Sequence, residues 1–329
     1  MMFFDDICED VSKNEELVKV LLLLLNSSDS PTLVQVVRLV HVCVVNKKAR
    51  RAWLNSFREI GSFVGTLQFI LGNSLNVDLL KGTLQVVYYI LHASDEFSLQ
   101  FGSSEFIKAL TAGAKQLRLK EDFEALDEYW HVLHLLSLNE DILKILGEFF
   151  HSVYKLLHVY VSKLCDNEDV VPSYERTGAL AAGFATLVSL LTPERLNEEL
   201  FDRDRDFLSC LKTMLKSVQK KILVYKKQTS LEQSENSATS QKDTEDDVNE
   251  TVKESKNIKK SINEKTDAQS TDVTSSLEIL EDSLSQLCVI IIPSIKQEDE
   301  VKKALLEALK VCAKSSSQGA TSKNFSPSV

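Results

Sequence analysis

The strongest constraint on this chain is a helical pattern that returns about every 43 to 48 residues through its first half. Apolar triplets with helical spacing recur one unit apart: Phe63-Val64-Leu67, Phe106-Ile107-Leu110 and Phe149-Phe150-Val153. A second series of apolar runs keeps step with them, at 39–45, 86–91 and 132–138, and each run ends at a polar break. Because armadillo and HEAT units repeat at this period, the sequence predicts an all-α, armadillo/HEAT-like right-handed helical solenoid.

Composition divides the chain into four parts. Residues 1–225 carry the pattern and are predicted to form the repeats. Residues 226–275 have no aromatic side chain and too little apolar area to offset the entropy of ordering, so we expect a disordered acidic insertion, or linker. The pattern returns in 276–313, as two terminal helices expected to dock on the solenoid, and 314–329 are expected to be a disordered tail.

Three short polar segments have the composition of helix starts. Ser30 precedes Pro31, which has the backbone φ of a first helical turn, so Ser30 is predicted to cap that helix. Asn76 and Ser103 precede the next apolar series and are predicted caps as well. These starts place the two recurring series on separate helices joined by short loops.

The totals exclude several classes of protein. Six cysteines stand far apart without a CxxC pair, as in a reduced, intracellular protein. The first residues are acidic rather than a secretory signal, and the apolar run 18–25 is far short of the roughly 20 residues that span a bilayer, so we expect no membrane segment. A net charge of -10 does not favour nucleic acid as the main partner.

No catalytic motif lies over the repeats. The chain has no Walker loop, GxGxxG, GxSxG or HExxH segment, so we expect neither enzymatic activity nor a cofactor. Glu128, His131 and His134 share one helix face and could hold a metal, but a zinc site needs a further ligand that no motif supplies. The prediction is therefore no metal and a polar edge beside the core residue Trp130.

A solenoid binds its partners along the surface that equivalent helices share. The predicted partner is a protein, bound as an extended peptide or a helix in the groove; the oligomeric state stays open. Candidate contacts at equivalent positions are Arg38, His41, Gln85, His131 and His134, with Tyr88 and Tyr89 either beside them or in the core. A basic cluster of Lys47, Lys48, Arg50 and Arg51 could contact an acidic partner or phosphate, or could be a solvated corner between helices.

Four segments resemble the serum amyloid A-like protein 1 family in sequence, order and interval: NSSDSPTL (26–33), SLNVDLL (74–80), AGAKQLR (112–118) and YWHVLHLL (129–136). The resemblance covers about residues 5–165 and continues weakly to LEILED (277–282). It implies an armadillo-type helical protein without enzymatic activity, linked to cell proliferation and found in the nucleus or cytoplasm, with the nucleus favoured.

The family also carries a further helical unit ahead of the part that this chain resembles. Without such a unit, the helices around Leu17–Leu25 are expected to expose an apolar face. The leading functional hypothesis is a non-catalytic adaptor or scaffold. The alternative is a nucleic-acid- or chromatin-associated protein that contacts phosphate through the basic cluster.

Overall fold

The structure, a computed structural model, describes residues 2–59, 61–165, 174–196, 200–239, 273–295 and 300–319. These residues form helices and short 3-10 turns, with no strand among them. The helices are α1 (Met2–Lys13), α2 (Glu15–Leu24), α3 (Ser30–Val45), α4 (Lys47–Glu59), α5 (Phe63–Asn73), α6 (Val77–Ala93), α7 (Ser98–Phe101), α8 (Ser104–Leu119), α9 (Phe123–Ser137), α10 (Glu140–Glu148), α11 (Phe150–Cys165), α12 (Tyr174–Leu190), α13 (Pro193–Leu196), α14 (Leu200–Arg203), α15 (Arg205–Thr239), α16 (273–291) and α17 (Glu300–Gly319); 3-10 turns lie at Asp95–Phe97 and Ile292–Ser294.

The chain divides into two compact units, residues Met1–Tyr160 with Ala182–Thr192, and Val161–Ala181 with Pro193–Val329. In the first unit, α6 packs between α3 and α9, and α5 packs on α8. The first two triplets lie on α5 and α8, and the third begins at Phe149, one residue before α11, and continues into that helix. The second apolar series lies on α3, α6 and α9, with Leu138 one residue past the end of α9. This side-by-side packing of equivalent helices confirms the predicted all-α helical solenoid.

Side-chain caps explain where these helices begin. Asn76 and Ser103 accept hydrogen bonds from the backbone N–H of Leu79, at 3.1 Å, and of Phe106, at 3.2 Å, which confirms both predicted caps. For α3 the predicted cap Ser30 is wrong by one residue. Asp29 is the cap, because its carboxylate accepts from both the backbone N–H and the hydroxyl of Thr32.

Close approach between α3 and α6 depends on a glycine. A Cβ at Gly82 would lie 2.8 Å from Val37 Cγ1, a distance that real Cβ atoms essentially never show. Val37 is itself buried, with 1% of its surface exposed. Gly82 therefore sets the spacing of the two helices.

In the second unit, α17 packs on α15. Gln219 of α15 donates to the carbonyl of Ala308 at 3.2 Å, and Lys226 lies 2.7 Å from Glu278 of α16. Helix α15 continues to Thr239, past the predicted end of the repeats at 225, because its Lys, Gln, Glu, Ser and Leu residues are compatible with a helix. The remainder of the predicted linker, 240–272, lies outside the described residues, and so do residues 320–329 of the predicted tail.

Helix α2 exposes an apolar strip. Leu17, Val20, Leu23 and Leu24 are all exposed, whereas Val18 and Leu22 of the same helix are buried. The strip matches the apolar face expected around Leu17–Leu25. No helix in the described ranges combines the length and the apolar content needed to cross a membrane.

Candidate partner-binding face

The α3–α6–α9 face carries seven candidate side chains, Arg38, His41, Gln85, Tyr88, Tyr89, His131 and His134. Polar contacts join neighbouring helices across it. Gln85 Nε2 donates to Glu128 Oε1 at 2.9 Å, and the two residues stand 43 positions apart, which is one repeat. Arg38 pairs with Asp78 across α3 and α6 at 3.3 Å. The predicted equivalence of the helices is thus visible in their side-chain contacts.

Aromatic and imidazole rings form a row across the middle of this face. The ring centroids of His41 and Tyr89 are 5.5 Å apart, those of Tyr88 and Tyr89 are 5.2 Å apart, and those of Tyr88 and His131 are 5.7 Å apart. These rings are half-buried, so the prediction left open for Tyr88 and Tyr89 is resolved as partly exposed rather than core. The row thus offers flat, held ring surfaces to solvent.

Burial keeps the imidazoles of the face neutral. It lowers the pKa of His41, His131 and His134, and the neighbouring imidazole of His134 lowers the pKa of His131 further. His134 Nδ1 is buried and has no hydrogen-bond partner among the described residues. Burial also raises the pKa of Glu128, against the opposing effect of its hydrogen bond from Gln85. The face is therefore mostly uncharged at its centre.

The metal arrangement considered for α9 does not form. Glu128 is engaged with Gln85, and the ring of His131 packs against Tyr88. The described part of the chain contains no group of three or more His, Cys, Asp or Glu side chains that could hold a metal ion.

The basic cluster divides into two pairs with different surroundings. Lys48 pairs with Glu9 of α1 at 3.0 Å. Arg50 donates to the carbonyls of Val44 and Val45 at the end of α3, at 2.6 and 2.9 Å. These two cations therefore each have a partner within the chain, although the Lys48 side chain itself stays exposed.

Lys47 and Arg51 form the other pair and are exposed, with no hydrogen bond or ion pair to another described residue. Both line a polar cleft of about 640 Å³, which we call the basic cleft. Its nine lining residues include four cations and no carboxylate: Lys47, Arg50, Arg51, Leu54, Asn55, Arg58, His92, Ala93 and Ser94.

Arg58 and His92 were not among the predicted site residues. Arg58 donates to Glu96 at 2.6 and 2.9 Å through two nitrogens. A signal for it was present, because Lys47, Arg51 and Arg58 follow the i, i+4, i+11 spacing of one helix face. No such signal existed for His92, whose place in the cleft depends on how α6 lies against α4.

The basic cleft adjoins the α3–α6–α9 face through two residues. His92 lines the cleft, and its ring centroid lies 5.9 Å from that of Tyr88. Arg50 also lines it, with its guanidinium carbon 5.8 Å from the centre of the Tyr89 ring. Of the predicted site residues, Lys47, Arg50 and Arg51 therefore come together here, while Lys48 turns to α1 and His134 lies on α9.

Stacked equivalent helices with a shared polar and aromatic face define an armadillo/HEAT-like helical repeat protein. A family model described as the SAAL1 C-terminal domain matches residues 63–325. The chain therefore belongs to the SAAL1 family, as the resemblance indicated, and the match extends well beyond residue 165.

Similar curated proteins carry the same family name. The chain is 25% identical to Protein SAAL1 of Mus musculus over 67% of its own length and 51% of the relative's. It is 26% identical to Protein SAAL1 of Homo sapiens over 61% of its own length and 47% of the relative's. It is 32% identical to Protein saal1 of Danio rerio over 43% of its own length and 33% of the relative's. The match thus spans about half the length, or less, of these relatives.

Proposed function

We propose that this chain is a non-catalytic adaptor or scaffold that binds a protein partner, as an extended peptide or a helix, across the α3–α6–α9 face. The row of half-buried rings on this face, held by contacts between helices, carries the proposal. Aromatic side chains with restricted rotamers give large contact areas at a low entropic cost, which is why they are enriched in protein interfaces. Following the family resemblance, we place this role in the nucleus and link it to the regulation of cell proliferation.

The test removes two rings from the face without altering its charge. The variant Tyr88→Ala/His131→Ala is compared with Leu99→Ala/Leu119→Ala, which removes two side chains, each 64% exposed, from α7 and α8. Both variants and the original chain are used to capture proteins from a nuclear extract treated with nuclease at moderate salt. We expect a defined set of proteins to be lost with the first variant and kept with the second.

Loss of the same proteins from both variants, or from neither, would count against the face as the binding surface. Circular dichroism and tryptophan fluorescence of each variant establish that the fold is intact before capture. A parallel capture with the original chain omits the nuclease; if proteins are captured only from the untreated extract, the protein-adaptor proposal fails.

The alternative, a nucleic-acid- or chromatin-associated protein, draws its support from the basic cleft, whose lining has four cations and no carboxylate. It predicts that binding to duplex DNA weakens steeply with salt, in proportion to the phosphates contacted. Fluorescence anisotropy with a labelled duplex, measured between 50 and 200 mM salt as a typical range, tests it.

A further inference from the structure

One end of the basic cleft lies at the amino terminus of α4, where helix electrostatics disfavour cations. The amino-terminal end of a helix bears a partial positive charge, so acidic residues stabilise the first turn and basic ones destabilise it. Helix α4 begins with Lys47 and Lys48, carries Arg50 and Arg51 one residue further on, and has no acidic residue in its first turn. Asn46 caps it by accepting from the backbone N–H groups of Lys48 and Ala49, at 2.9 and 3.1 Å, which adds no negative charge.

Only some of these cations have a neighbouring carboxylate or carbonyl that offsets their charge. Lys48 has the carboxylate of Glu9, Arg50 has two carbonyls at the negative end of α3, and Arg58 has Glu96. Lys47 and Arg51 have no such partner in the described part of the chain. Two exposed, unpaired cations therefore line one concave site, where they can stabilise an anion.

We propose that the basic cleft binds the carboxylates of an acidic segment in a protein partner, with Lys47 and Arg51 as its main contacts. This inference rests on the proposed adaptor function and adds the chemistry of the partner. Since His92 and Arg50 join the cleft to the ring row, a segment lying on the α3–α6–α9 face could place acidic side chains in the cleft and apolar ones on the rings.

Charge and size favour an acidic peptide over a nucleic acid. Phosphate backbones are bound by extended basic surfaces, and each phosphate contact steepens the salt dependence. Here the unpaired cations are two, in one cleft of about 640 Å³, and the chain as a whole carries a net charge of -10. A net negative charge disfavours a long polyanion, whereas two cations in one cleft suit a short cluster of carboxylates.

The experiment measures binding of fluorescein-labelled decaglutamate to the full chain by fluorescence anisotropy at low salt, with decaglutamine as the neutral probe. The variant Lys47→Gln/Arg51→Gln is compared with Lys108→Gln/Lys155→Gln, which removes the same charge from exposed positions on α8 and α11. We expect the cleft variant to bind decaglutamate at least tenfold more weakly, and the control variant to bind within about twofold of the original chain.

Three results would overturn the proposal: equal binding by the two variants, equal binding of decaglutamate and decaglutamine, and tighter binding of a ten-nucleotide single strand than of decaglutamate. Misfolding of the cleft variant can be told apart from the loss of its contacts with decaglutamate. Removing unpaired cations from the first turns of α4 should leave the stability of the first unit unchanged or raise it. A cleft variant that unfolds at lower denaturant than the original chain would also contradict the electrostatic argument.

This result is distinguishable from failure of the adaptor proposal. Suppose that decaglutamate does not bind but Tyr88→Ala/His131→Ala still loses its captured proteins. The α3–α6–α9 face is then supported as the binding surface, and the proposal that the cleft binds acidic segments is rejected. If Tyr88→Ala/His131→Ala captures the same proteins as the original chain while decaglutamate binding depends on Lys47 and Arg51, the adaptor proposal is rejected. The basic cleft is then an anion site that works independently of the α3–α6–α9 face.

Discussion

The spacing of α3 and α6 can be tested at Gly82, because a single methyl group there meets a buried side chain. In a helix interior, Gly→Ala stabilises by about 1 kcal/mol through backbone entropy. At Gly82 the new Cβ would lie 2.8 Å from Val37 Cγ1, and overpacking of this kind costs about 1 to 3 kcal/mol. The two effects together predict that Gly82→Ala destabilises the first unit by about 1 kcal/mol.

Gly65 provides the matched control. It lies in α5, and a Cβ built there has no heavy atom within 4 Å outside its own surroundings in the helix. Gly65→Ala should therefore keep the entropic gain and stabilise by about 0.5 to 1 kcal/mol. The two glycine variants are expected to shift stability in opposite directions.

A third variant identifies the clash as the cause. Val37→Ala removes two buried methyl groups and should cost about 2 kcal/mol. In that background Gly82→Ala no longer meets Cγ1 and should be neutral or stabilising, which gives a coupling energy of about 1 to 2 kcal/mol in the double-mutant cycle.

Urea unfolding followed by tryptophan fluorescence is the assay. Both tryptophans, Trp53 and Trp130, belong to the first unit, so the signal reports that unit. With a slope of about 2 kcal/mol per molar urea, the midpoints should fall about 0.5 M for Gly82→Ala and rise by up to about as much for Gly65→Ala. A rise at Gly82 equal to that at Gly65, or a coupling energy near zero, would refute the close-packing argument.

Three further predictions use the same unfolding assay or thiol labelling. Glu121 has a φ of 55°, a conformation that costs a non-glycine residue about 1 kcal/mol, so Glu121→Gly should raise the urea midpoint; an unchanged or lower midpoint would contradict this. Burial raises the pKa of Glu128 above its usual 4.5, so the stability that its protonated form contributes is fully present below pH 4.5 and is lost as the pH rises through the folded-state pKa. Glu128→Gln should therefore stabilise the first unit at pH 7 and change its stability little at pH 4. Stabilisation at pH 4 but not at pH 7 would contradict the raised pKa. Burial and the neighbouring Cys8 raise the pKa of Cys43 to about 12, so native Cys43 should resist iodoacetamide at pH 8 while the half-buried Cys210 reacts faster, as peptide mass spectrometry would show.

The period and the equivalent helices were predictable because each unit buries the same apolar face. Phe106 is fully buried at the position that repeats Phe63, which is 2% exposed, and Val153 is fully buried at the position that repeats Leu67, which is 1% exposed. The same regularity predicted which helices would share a surface. Local chemistry fixed the helix starts to within one residue, and the error at Ser30 came from a choice between two adjacent good caps.

The pairing of charges was not predictable, because it depends on helices far apart in sequence. Lys48 forms an ion pair with Glu9 on α1, and Arg58 forms one with Glu96, beyond the end of α6. In the sequence, Lys47 and Lys48 are adjacent and alike. Only the packing of α1 against α4 gives Lys48 an ion-pair partner and leaves Lys47 unpaired in the basic cleft.

The same packing explains why the unpaired cations remain together. The carboxyl end of α3 offers its carbonyls to Arg50, which reaches back across the chain reversal at Asn46. Lys47 and Arg51 lie on a different face of α4 from Lys48, because residues one turn apart share a face and adjacent ones do not. Arg58 continues that face two turns beyond Arg51, where Glu96 fixes its guanidinium at the edge of the cleft. Like charges held on one helix face repel one another, and a carboxylate placed between Lys47 and Arg51 would attract both. Because the repulsion between the two cations is present with and without the carboxylate, it cancels from the binding free energy, so Lys47 and Arg51 should contribute to binding about additively.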